Sequence, residues 1–81
     1  GAKVSSVRVS GRRVTINLAK PLNGVESNHE KLILYALINT YCDYYHATSA
    51  RILADGAAYV SDGLTLGADE YIPPIPASEV N

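Results

Sequence analysis

The stretch from Glu26 to His46 reads Glu-Ser-Asn-His-Glu-Lys-Leu-Ile-Leu-Tyr-Ala-Leu-Ile-Asn-Thr-Tyr-Cys-Asp-Tyr-Tyr-His, and it carries the one long helical pattern in a chain of 81 residues. A chain this short has room for one core and buries only about 60% of its unfolded surface. One helix cannot make that core alone, so it must lie on a sheet. Ser27-x-x-Glu30 matches a capping box, which places the helix start at Ser27. Glu26 and Glu30 also suit the positive end of the helix dipole. At 100° per residue, Ile33, Leu34, Leu37, Ile38, Tyr41, Tyr44 and Tyr45 fall on one broad stripe, the expected sheet-facing side. The opposite side carries Asn39, Asp43 and His46 in its second half but Leu32, Tyr35 and Ala36 in its first. Part of the back of the helix is therefore apolar, and another element is expected to cover it.

The segments around the helix supply the sheet. Lys3 to Ser10 reads as a strand in which Val7 and Val9 share a face, with Val4 out of phase, as a bulge would leave it. Gly11 turns the chain, and Arg13 to Leu18 alternates cleanly, Val14, Ile16 and Leu18 against Arg13, Thr15 and Asn17. Lys20 to Gly24 is a loop. The helix is expected to stop near His46–Thr48. Beyond it, Ser49 to Ala54 places Ala50, Ile52 and Ala54 on one face. Asp55-Gly56 is a hairpin signal, because both residues tolerate positive φ. Ala57 to Ser61 returns, Asp62-Gly63 turns again, and Leu64 to Leu66 extends or re-pairs that strand. Residues 67–81 lose periodicity, and the prolines of Tyr71-Ile-Pro-Pro-Ile-Pro76 predict an extended C-terminal segment that cannot donate to a ladder. The expected order is β-β-α-β-β: an α+β single domain, one amphipathic helix on an antiparallel or mixed sheet.

Composition narrows the function classes. Seven basic and eight acidic residues leave a net charge of −1, with no electrostatic footprint for nucleic acid. Arg8, Arg12, Arg13 and Arg51 cluster with Lys3 on the polar sheet face, but those strands present no aromatic side chain for base stacking. No apolar run of about 18 residues is present, so no transmembrane segment is expected. Cys42 is the single cysteine, which excludes an internal disulfide and a multi-cysteine zinc site.

Candidate chemistry is sparse. Cys42 and His46 stand four apart on one helical face with Asp43 beside them, the pattern of a partial metal site or a thiol–histidine pair. The pattern is weak, and the favoured reading is Cys42 as a small apolar residue at the stripe edge and His46 as a residue suited to the helix C-terminus. His29 lies in the first helical turn and reads as solvated. Asp55 and Asp62 each precede a glycine and are explained by turns. No catalytic residue, cofactor or metal is expected. Tyr41, Tyr44 and Tyr45 read as core packing or as a partner surface, with Tyr44 the most exposed of the three.

Three of these segments resemble the GerMN domain, the sporulation and spore germination domain of bacterial envelope proteins. They are the strand Val14-Thr-Ile-Asn-Leu18, the helix pattern Leu32-Ile-Leu-Tyr-Ala-Leu-Ile-Asn-Thr40 and the strand Ala50-Arg-Ile-Leu-Ala-Asp-Gly56. The resemblance spans roughly residues 3 to 66. It departs from the family pattern in the tyrosines after Thr40 and in two alanines of the third strand. It implies a fold similar to ring-building motifs and an extracytoplasmic place in the cell envelope, often in lipoproteins, so that the parent protein is membrane-anchored. It also implies a non-enzymatic protein-interaction or assembly role. The family's opening strand and helix precede the hairpin and do not occur in these residues, and the start at Gly1-Ala2 without Met is that of an excised piece, so the 81 residues read as a truncated domain. Leu32, Tyr35, Ala36, Asn39 and Tyr44 are then the candidate interaction residues, with a homo-oligomer or another protein as partner. The alternatives are a small-ligand or metal-dependent site at Cys42, Asp43 and His46, and a peptidoglycan-binding module that uses exposed tyrosines.

Overall fold

The computed structural model describes residues 3–74. Strand β1 (Val4–Ser10) and strand β2 (Arg13–Leu18) form an antiparallel hairpin. Gly11 has φ 61°, and only this first loop residue takes positive φ, the arrangement that a two-residue turn with glycine leading requires. Register slips between Val4 and Ser6. The bulge returns Val4 to the side of Val7 and packs both against the core, which accounts for the phase error in the sequence pattern.

Helix α1 (Ser27–Tyr45) carries the chain from β2 to strand β3 (Ser49–Ala54), which lies beside β2 and parallel to it, Ile16 opposite Ile52. Parallel neighbours need a crossover of this length. The Asp55-Gly56 turn, with φ 51° and 76°, leads into strand β4 (Ala57–Val60), and strand β5 (Thr65–Leu66) pairs with β4. The five-stranded mixed sheet runs β1-β2-β3-β4-β5. The α+β architecture agrees with the expected one, and Leu64 to Leu66 re-pairs as its own strand.

The C-terminal segment departs from expectation. Ile72, although followed by Pro73, exchanges both backbone hydrogen bonds with Ala50, at 2.9 and 2.7 Å. Its own N–H is intact, and the missing donors are those of Pro73 and Pro74, which follow it. Ile72 thus flanks the first half of β3, while β4 pairs with the second half. Residues 75–81, with Pro76, lie outside the described residues.

The core lies between helix and sheet. Val14, Ile16, Leu18, Ala50, Ile52, Ala54, Tyr59 and Leu66 meet Leu34, Ile38 and Cys42. The buried row of α1 is Glu30, Leu34, Ile38 and Cys42, spaced four apart. This corrects the expected stripe. Leu37 and Tyr41 flank the row, packed on the core; Ile33 is half-buried, and Tyr44 and Tyr45 are outside. Cys42 is central and not at the edge. A charged residue takes a core position, which hydrophobic periodicity cannot anticipate.

Candidate functional site

The helix starts at Ser27 and stops at His46, as the sequence reading has it, but its cap differs. The N-cap is Glu26, not Ser27. Its carboxylate accepts from the backbone N–H groups of Asn28 and His29, at 3.1 and 3.2 Å. An acidic cap satisfies two of the free N–H groups and complements the dipole. Glu30 is therefore released from the capping box and turns inward. The buried Tyr59 hydroxyl donates to Glu30 Oε2 at 2.5 Å and accepts from the Leu22 N–H at 2.8 Å. Burial, and then the hydrogen bond to Glu30, push the Tyr59 phenol up to about 12. Helix, β4 and the loop before the helix meet at this hydroxyl. Gly63 lies against the same corner: an added Cβ would stand 3.0 Å from Ser27 Cβ.

At the other end His46 takes the left-handed conformation, φ 55° and ψ 39°. The Ala47 N–H donates to the Cys42 carbonyl and the His46 N–H to the Asp43 carbonyl, the Schellman pattern. His46 ends the helix through its backbone.

The structure brings Cys42, Asp43 and His46 together with Asn39, Ala47 and Pro74 around an open depression of about 390 Å³. Its chemistry is limited. The Cys42 side chain is 2% exposed and burial pushes its thiol up, whereas a nucleophilic or metal-binding cysteine needs a stabilised thiolate. No group of three histidine, cysteine or acidic side chains is placed to hold a metal ion among the described residues.

The expected interaction residues divide. Leu32 is 39% exposed and Ala36 is exposed, so the back of the helix is apolar and uncovered by any described residue there. Tyr35, placed on that back face by helical phase, instead packs against the core. Asn39 lines the depression. Tyr44 is 73% exposed. Its ring meets Tyr45 edge-on at 4.8 Å, and Tyr45 stacks on Tyr41 at 6.4 Å. These tyrosines form a chain of rings from the core boundary into solvent, at geometries favoured by aromatic pairs.

The open face of the sheet holds a second arrangement. Arg8, Thr15 and Arg51 are register neighbours across β1, β2 and β3. Arg51 is fixed: Nε donates to Thr15 Oγ1 at 2.9 Å, and Nη1 donates to the Ala68 carbonyl at 2.8 Å and touches Asp69 at 3.3 Å. The Tyr71 ring is engaged by Arg13 and Arg51, with guanidinium carbons 4.7 and 5.3 Å from its centroid. Sequence reasoning grouped these arginines but assigned no aromatic to them, because Tyr71 reaches them only through the pairing of Ile72 with β3.

Among the described residues no helix is long and apolar enough to cross a membrane. A family model described as Germane, sporulation and spore germination, matches residues 1–60. The label is close to, though not identical with, the GerMN domain that the sequence resembles. No curated protein and no solved structure gives a match.

Proposed function

The chain belongs to the Germane family of sporulation and spore germination, and on that premise we propose that it is a non-enzymatic assembly module acting outside the cytoplasmic membrane. The observation that carries this reading is the exposed apolar surface of α1. Tyr44 projects from the helix at 73% exposure, supported by Tyr45, and Ala36 and Leu32 face outward about two and three turns earlier. Tyrosines held at one end by packing are efficient interface residues, because little conformational freedom remains to be lost on binding. The buried Cys42 thiol supports a binding role over a catalytic one at the neighbouring depression. The extracytoplasmic place follows from the resemblance to envelope proteins.

The test is association. Sedimentation velocity of the chain and of Leu32→Glu and Tyr44→Glu, each checked for helix content by circular dichroism, is expected to show folded variants with weakened self-association. A chain that stays monomeric at high concentration, and whose variants retain every partner captured by the unaltered chain in sporulating cells, would remove the proposal.

A further inference from the structure

We propose that the open face of the sheet holds a binding cradle for the carboxylate of an acidic protein segment, centred between Arg8 and Arg51. It rests on the assembly reading for the kind of partner, but it lies on the face opposite the helix. The cradle is a concavity of about 220 Å³, walled by Arg8 on β1 and Arg51 on β3, with Thr15 and Asn17 between them and Leu53 beside Arg51. The two guanidinium groups belong to one cross-strand row, so they stand two strand spacings apart at their base, about 10 Å. A guanidinium pairs with a carboxylate through parallel N–H donors; Arg8 offers that pair, while Arg51, whose Nε and Nη1 donate to Thr15 and Ala68, adds its Nη2.

Charge places the occupant. The chain is acidic by one unit overall, yet of Arg8, Arg13 and Arg51 on this face only Arg51 is ion-paired among the described residues, with Asp69. Asp69 touches Arg51 while its own side chain is 96% exposed, so that contact is replaceable by a stronger one. Arg8 is exposed and is engaged by no carboxylate among the described residues. Leu53 supplies an apolar wall that suits the methylene stem of a glutamate and has no counterpart in a phosphate. Nucleic acid fits less well, because the Tyr71 ring, the aromatic group near this face, is already occupied by two guanidinium groups and offers no free stacking platform.

The experiment is a titration of the full 81-residue chain, followed by amide chemical shifts, with a glutamate-rich decapeptide and its glutamine counterpart. Inorganic phosphate and a single-stranded oligonucleotide serve as further ligands. The expected result is salt-sensitive binding of the acidic peptide alone, with shifts at Ser6, Thr15, Asn17 and Gly56. Arg8→Gln is expected to weaken it about tenfold, Asp69→Asn to strengthen it several-fold, and Arg12→Gln, in the β1–β2 turn, to leave it unchanged. Equal binding of the glutamine peptide, tighter binding of phosphate or oligonucleotide, or an unchanged affinity in Arg8→Gln would overturn the proposal. The helix variants Leu32→Glu and Tyr44→Glu separate the two ideas. If they alter association while the acidic peptide fails to bind, only the cradle is lost; if the peptide binds and they alter nothing, only the helix surface is lost.

Discussion

The Tyr59 hydroxyl donates a 2.5 Å hydrogen bond to Glu30, and both side chains are buried. The same oxygen accepts the Leu22 N–H, so one phenol ties together β4, the first turn of α1 and the loop that precedes it. A carboxyl group in a core is tolerated only when it is hydrogen-bonded, and Tyr59 meets that requirement here.

Removing that hydroxyl is expected to cost more than an ordinary hydrogen bond. Tyr59→Phe leaves a buried carboxyl oxygen and the Leu22 N–H without this partner, a loss of about 2–3 kcal/mol. Urea unfolding measures it. In the double variant Glu30→Met, Tyr59→Phe, the total loss is expected to be smaller than the sum of the single losses, because the two groups form one unit.

Alkaline pH tests the same contact. The Tyr59 phenol is raised from 10.0 to about 12 in the folded chain. Its stabilising contribution is full below pH 10, where both states are protonated. It is lost as pH rises through the folded value, because the unfolded chain ionises first. The fall amounts to on the order of 3 kcal/mol between about pH 10 and 12. Urea midpoints at pH 9, 10 and 11 are expected to decline more steeply for the unaltered chain than for Tyr59→Phe.

His46→Gly is expected to stabilise the fold by about 0.5–1 kcal/mol, since glycine takes the left-handed position at a helix end without steric cost. A gain in thermal midpoint with unchanged helix content checks it. A loss would mean that the imidazole contributes an interaction beyond the backbone turn.

Cys42 is expected to resist thiol reagents. Its side chain is 2% exposed and its thiol is raised by burial, so the reactive thiolate is scarce. Labelling with a maleimide at pH 7 is expected to be slow in the folded chain and fast in urea. Fast labelling of the folded chain would contradict the burial of this row of the helix.

Gly63→Ala is expected to destabilise by about 1 kcal/mol, because the new methyl group stands 3.0 Å from Ser27 Cβ and the helix start must shift to admit it. The turn before β5 is thereby coupled to the helix start, and hydrogen exchange at Asn28 and His29 is expected to quicken in this variant.

Strand placement was legible in the sequence because alternation is a local signal. Val14, Ile16 and Leu18 alternate with polar neighbours and are all fully buried, and Ala50, Ile52 and Ala54 follow the same rule. The misplaced Val4 already implied the bulge. Asp55-Gly56 implied a turn with two positive φ angles, and the backbone takes them. The helix was legible as a helix but not in its facing. Its buried row passes through Glu30 and Cys42, while Tyr44 and Tyr45, apolar by type, stand outside.

What the sequence by itself determined is the helix, the first four strands and their order, together with the family. Periodicity, turn residues and the helix signature act over a few neighbouring positions, and no tertiary contact is needed to read them. Only the tertiary structure decided which side chains meet. Glu30 changes from a cap to a core residue because Tyr59, 29 positions away, brings a donor to it. Tyr71 reaches Arg13 and Arg51 because Ile72 pairs with β3. Partners so distant in sequence become neighbours only after β3 has been placed beside β2, and no local pattern of residues encodes that placement.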